Sequence, residues 1–245
     1  MDEIRVSRGI PQGYPDTNPV PIRGGKYGEI ISIGLYGKKH FLADEGSYFI
    51  ATNPTPYTPI AVTTSIITFA ETAGAVGVAM LLKNLEARSS QNGKRLYLDY
   101  IKLMVVGVPT SATSWQYALV IDDNPLRWTS GGSAITPVNP NGDCNLPSIA
   151  QIYFGALTTA VPNNRRLVSR GTLRGVIPTT FDEYIINSGS AEGGSGFASA
   201  AASGKSVNQA PPIILGPQQN LALTLWGAAN AAAPTFEFEM GWWER

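Results

Sequence analysis

The chain has 245 residues, of which 43% are hydrophobic and only 15% charged. Eighteen basic side chains balance eighteen acidic ones, so no long-range field favours nucleic acid or an anionic membrane as partner. One cysteine, Cys144, excludes an internal disulfide, and one histidine, His40, leaves little for the usual acid–base, nucleophilic or soft-metal chemistry.

The usual charged share is about 25%. A surface this poor in charge is either covered by Ser, Thr, Asn, Gln and Gly or hidden against partners. The N-terminus, MDEIRVSRGIPQGYP, has no apolar segment of the kind a signal peptide needs. No stretch approaches the roughly 18 apolar residues of a membrane span, so no membrane association is expected.

Residues 1–27 are polar and rich in Pro and Gly. Proline fixes φ and removes a donor, so this stretch reads as an extended arm. Pro11, Tyr14, Pro15 and Pro19 are its candidate interface residues, for an arm laid across a neighbouring subunit. The rest, 28–245, reads as a single β-sandwich domain. Its first strand signals are Glu29–Leu35, His40–Leu42 and Ser47–Thr52, with His40 as an ordinary strand-end residue.

Ile60–Phe69 (PIAVTTSIITF with its leading proline) alternates and is rich in β-branched residues, which suits a half-buried strand. Ala70–Gly77 is compatible with a helical turn or a loop. Val78–Leu85 is apolar. Asn92–Gly93, between it and the next apolar run, predicts a hairpin. Leu96–Val108 is the longest strand candidate. Alternation puts Leu96, Leu98 and Tyr100 on one face and Tyr97, Asp99 and Ile101 on the other.

Trp115–Ile121 follows, ended by Asp122–Asp123–Asn124–Pro125, and 124–148 is loop-rich. Ile149–Ala160 and Leu167–Pro178 are extended, separated by the turn Pro162–Asn163–Asn164, and Phe181–Ile186 is short. Residues 188–210, nearly all Ser, Gly and Ala, predict a long flexible loop. Pro211–Leu215, Asn220–Trp226 and Thr235–Trp243 close the chain. In the last, Phe236, Phe238, Met240 and Trp242 share one face and Glu237, Glu239 and Gly241 the other, a period of two with one buried side. About ten short strands with no long amphipathic helix predict an all-β fold, a jelly-roll-like antiparallel β-sandwich with little helix.

The chemistry of sites is thin. Glu237 and Glu239 share a strand face with side chains roughly 7 Å apart, a spacing open to carbohydrate chemistry, but no second acidic strand supplies the opposite wall of a cleft. Asp122–Asp123–Asn124 and the 139–143 loop are oxygen-rich, and turn chemistry accounts for both better than calcium does. Gly193–Gly194–Ser195–Gly196 lacks the Lys-Ser/Thr of a phosphate loop. Arg165, Arg166, Arg170 and Arg174 form the one local basic bias, with Arg165 and Arg166 as candidate interface residues. Trp243 joins them, because alternation places it opposite Trp242 and away from the core. No catalytic residue, metal ligand or cofactor is assigned, and the chain is not read as an enzyme.

Two stretches carry a resemblance: VAMLLKNLEARSSQNGKRLYLDYIKLMV at 78–105, and PPIILGPQQNLALTLWGAANAAAPTFEFEMGWWER at 211–245. Together, about a quarter of the chain, they resemble tailed-bacteriophage virion proteins of jelly-roll type, which coat or cement a capsid or build its appendages. The resemblance implies a structural protein of the virion, assembled in the host cytoplasm. It implies the major capsid protein or neighbouring virion proteins as partners, and a homo-oligomer, often a trimer. The competing expectation is a carbohydrate- or receptor-binding module of a virion appendage, using Trp243 or Trp128.

Overall fold

The structure, a computed structural model, describes residues 38–53, 55, 59–61, 78–88, 93–108, 115–174, 179–189, 205–227 and 235–245. The arm residues Pro11, Tyr14, Pro15 and Pro19, the strand expected at Glu29–Leu35 and the ambiguous Ala70–Gly77 lie outside them. The chain divides into two compact units, Met1–Phe41 and Leu42–Arg245. Among the described residues there is one helix, α1 (Lys38–Asp44). It corrects the reading of His40–Leu42 as strand: KKHFLAD has no β-branched residue to favour a pleat, and exposed His40 stands on a helix.

Thirteen strands follow among the described residues: β1 (Tyr48–Thr52), β2 (Ile60–Ala61), β3 (Val78–Asn84), β4 (Leu96–Gly107), β5 (Trp115–Asp122), β6 (Trp128–Ile135), β7 (Ala150–Thr159), β8 (Arg166–Arg174), β9 (Glu183–Ser188), β10 (Lys205–Ala210), β11 (Ile214–Leu215), β12 (Asn220–Gly227) and β13 (Thr235–Glu244). They form two sheets. One runs β1-β13-β4-β9-β10, with β11 on β4 and β2 on β13; the other runs β6-β7-β3-β12-β5-β8.

Eight of these strands form a nested series. In chain order β1, β3, β4, β5, β8, β9, β12 and β13 are first to eighth. One sheet then reads first, eighth, third, sixth, and the other second, seventh, fourth, fifth. The pairs β1·β13, β3·β12, β4·β9 and β5·β8 are all antiparallel. That is a long antiparallel ribbon wrapped around a core, the jelly roll. The hairpin β6–β7 is inserted between the fourth and fifth strands of the series, and β10 joins β9 in parallel.

The core lies between the sheets. Phe236, Phe238, Met240 and Trp242 of β13 are all buried, as their alternation predicts. Trp115 meets Phe236 edge-on at 5.9 Å, and Phe154 meets Phe238 at 5.1 Å, each contact joining one sheet to the other. β13 is central, paired to β1 on one side and β4 on the other.

Four expectations are corrected. Asn92–Gly93 does not close a hairpin: β3 and β4 lie in different sheets, so the connection crosses the sandwich. The alternation in β4 breaks, because the pairing with β13 steps from Leu98↔Trp242 to Tyr100↔Gly241 and leaves Asp99 as an extra residue. This bulge turns Tyr100 outward and Ile101 inward, so the buried set is Leu96, Leu98, Ile101, Leu103 and Val105. The 124–148 stretch contains β6, and 188–210 ends in β10. Thr129–Ala134 of β6 are exposed and Val207–Gln209 of β10 are not buried, so neither stretch leaves a hydrophobic pattern; both are edge strands made by backbone pairing to a neighbour.

The inserted hairpin bends back over the outer face of the six-stranded sheet. Gly155 at φ 101° and the pair Gly131 and Gly132 at 75° and 68° provide the bend. Trp128 stacks on Tyr153 at 4.3 Å, and with Leu157 they pack on Val78, Leu81 and Ala222.

Candidate functional site

Two places gather chemistry-bearing side chains. The first is the outer face of the seven-stranded sheet over β1, β13 and β4. Register lines up Tyr48, Trp243 and Tyr97 in one row, then Ile50, Gly241 and Tyr100, then Thr52, Glu239 and Lys102. Trp243 is half-buried and stacks on Tyr97 at 5.6 Å with planes 2° from parallel. The expectation that it stands away from the core matches this position.

Gly241 makes the middle of this face a dent. A Cβ there would lie 2.5 Å from both the Tyr48 hydroxyl and the Tyr100 ring. The tyrosines lean into that space, and each donates to a carboxylate. Tyr48 Oη donates to Asp99 Oδ2 at 2.8 Å, and Tyr100 Oη to Glu239 Oε1 at 2.5 Å. Lys102 Nζ donates to the other oxygen, Glu239 Oε2, at 2.8 Å.

These contacts set the titration of the face. Burial, then the carboxylate each one bonds, pushes the Tyr48 and Tyr100 phenols well above the ordinary tyrosine range. Burial alone would raise Glu239. The hydrogen bonds from Lys102 and Tyr100 and the Lys102 charge outweigh it and hold the carboxyl below its ordinary value. The expected Glu237/Glu239 face is therefore real, but Glu239 is bound on both oxygens by its own neighbours.

The second place is the end of the sandwich where β3 and β5 finish and β12 and β8 begin. Asp123 is its hub. Gln219 donates to Oδ1 at 2.8 Å and Asn164 to Oδ2 at 3.2 Å, while Arg88 donates to its backbone carbonyl at 2.6 Å. Arg166, 59% exposed, lies 3.7 Å from the same carboxylate. Thus Arg166 and its neighbour Arg165 stand at this loop-built end of the six-stranded sheet, whereas Trp243 and Tyr97 lie on the outer face of the seven-stranded sheet.

Beneath the hub Asp122 and Asn220 are wholly buried and Arg127 nearly so. Asn220 donates to Asp122 Oδ1 at 3.2 Å and to Asn124 O at 2.6 Å. Burial raises the Asp122 carboxyl, against the lowering influence of Asn124, Arg127 and Asn220. The oxygen-rich loops are accounted for by such bonds: in the 139–143 loop, Asn141 N bonds Asn139 Oδ1 at 2.9 Å and Asp143 N bonds Asn141 Oδ1 at 3.0 Å. No group of three or more His, Cys, Asp or Glu among the described residues is placed to hold a metal ion.

Tyr97, Tyr100 and Asp99 were not singled out by sequence reasoning. The only signal was the aromatic-acidic run Tyr97–Tyr100, and the bulge that brings Tyr100 to the outer face is invisible without β13.

Strand order and faces together define a jelly-roll β-sandwich with one aromatic-carboxylate face and one basic, loop-built end. No protein-family model matches the chain, and no curated protein or solved structure matches it either.

Proposed function

We propose that this chain is a structural subunit of a bacteriophage virion, a capsid decoration or cement protein that binds the major capsid protein and other copies of itself. One observation supports this reading above others. The two stretches that resemble phage virion proteins fall on β3–β4 and on β11–β13. These pair with one another, β3 with β12 and β4 with β13, in the middle of both sheets. The resembling quarter is a contiguous structural unit rather than scattered segments. The jelly roll is an architecture of viral capsid domains and of lectins alike, so the fold alone does not choose between them.

The faces favour the structural reading over a sugar-binding one. A sugar platform needs an open ring face and carboxylates able to accept from hydroxyls. Here Trp243 and Tyr97 cover each other, Glu239 is held by Tyr100 and Lys102, and Asp99 is held by Tyr48. The test is the protein content of purified particles of the virus carrying the gene. Peptides from this chain are expected in the particle. Their absence from particles, when infected cells contain the chain, overturns the proposal.

A further inference from the structure

Phe181 is 58% exposed, and its backbone lies at φ 69°. A bulky side chain in that left-handed region is a true outlier. The turn is held from both sides. Phe181 N donates to Val105 O at 2.7 Å, Val105 N to Asp182 O at 2.9 Å, and Asp182 N to Thr179 O at 3.0 Å. Thr179 N donates to the buried Asp182 carboxylate at 2.7 Å.

Glycine or asparagine would occupy this turn with less strain, and the side chain stays mostly in solvent. What phenylalanine provides is a largely exposed apolar ring on a turn whose backbone is fixed by hydrogen bonds, which is the form of a binding anchor. Acidic groups stand behind it. Glu183 follows on β9, opposite Met104, and Glu237 lies on the other side of Met104.

The complement is on the same molecule. Leu126 and Val161 are 75% and 50% exposed, and Asn124 Nδ2 donates to Val161 O at 2.7 Å, tying their loops together. Arg165 and Arg166 stand beside them. Within one copy these features cannot meet. The basic end lies by the start of β4, since Asn84 bonds Lys94 O and Leu215 O and Leu215 pairs with Leu96. Phe181 lies by Val105, roughly 30 Å along that strand at about 3.3 Å per residue.

The geometry points to a head-to-tail contact between copies of this chain. Phe181 of one copy seats against Leu126 and Val161 of the next, with Glu183 and Glu237 facing Arg165 and Arg166. A zero net charge leaves no long-range repulsion to oppose it. Such a heterologous contact closes into a ring or extends as a filament. This inference rests on reading the chain as an assembly subunit, and it adds the surface.

The experiment is light scattering on the full chain with a thermal melt of each variant. Wild type is expected at a multiple of the 26.1 kDa chain mass. Phe181→Asn should fall to the single-chain mass with a melting temperature unchanged or higher, because strain is relieved. Arg166→Glu should also dissociate, and pairing it with Glu183→Lys should recover the assembly. A Phe181→Asn protein that keeps the wild-type mass overturns the contact, as does a charge exchange that fails to recover it. A single-chain wild type that is nevertheless found in virions overturns the contact and leaves the virion reading standing.

Discussion

Arg127 Nε lies 3.3 Å from Asp122 Oδ2, with both side chains almost completely removed from water. The two atoms are not aligned for a hydrogen bond, so the link is a charge contact, supported by the Arg127 bond to Ala160 O and the Asn220 bond to Asp122. It ties the end of β5 to the start of the inserted hairpin. Removing one member of a buried pair strands the other charge and costs about 3–5 kcal/mol, whereas replacing both is far less costly. Arg127→Met is therefore expected to destabilise by about that amount in urea unfolding, and Asp122→Leu with Arg127→Met to lose less. A double variant weaker than the single would count against the pairing.

The aromatic-carboxylate face predicts two pH limits. Glu239 has a lowered folded-state pKa, so its contribution is present above the ordinary carboxylate range and is lost as pH falls through and below it. Tyr48 and Tyr100 have raised values, so theirs is present below the ordinary tyrosine pKa of ~10 and is lost as pH rises beyond it. Melting temperature against pH should fall on both sides. Glu239→Gln should flatten the acid limb, and Tyr48→Phe with Tyr100→Phe the alkaline limb. Unchanged limbs would remove these groups from the account.

Gly241→Ala is expected to cost about 1–3 kcal/mol, as overpacking does, because its methyl group would overlap the Tyr48 hydroxyl and the Tyr100 ring. An ultraviolet titration of the variant should show the two phenols ionising closer to the ordinary range. Equal stability and an unaltered titration would mean that the rings do not share the dent.

Phe238→Ala should cost about 3–5 kcal/mol, the range for a buried aromatic, since Phe238 is 3% exposed and packs on Phe154 across the sandwich. A loss below about 1 kcal/mol would contradict the assigned inward face.

Gly131→Ala places a Cβ 2.4 Å from the Ala156 carbonyl oxygen at φ 75°. The β6–β7 hairpin should lift, freeing Trp128 from Tyr153. Tryptophan fluorescence would shift to the red while far-ultraviolet dichroism of the main sheets stays. A spectrum identical to wild type would show that the bend does not need this glycine.

The inward face of β13 was legible in the sequence because a period of two over Phe236, Phe238, Met240 and Trp242 needs no partner to be read. β3, β5 and β12 were legible as continuous apolar runs, because these strands are buried on both faces. Tyr100 was not, because its direction depends on a bulge that exists only in the pairing with Gly241. β6 and β10 were not, because residues such as Thr129–Ala134 stay exposed and carry no alternation. Arg166 and Trp243 were both singled out, but only the fold separates them, placing one at a loop-built end and the other on a sheet face.

Composition, alternation and apolar runs by themselves determined an all-β chain and the inward face of its last strand, since burial patterns are local and repeat with the pleat. Which strands became neighbours was decided only by the tertiary structure. Pairing joins residues far apart in sequence, as Tyr48 with Trp243 and Glu239 with Lys102, and no local pattern encodes a partner. The same long-range pairing put a strained Phe181 at one end of the sandwich and Arg166 at the other.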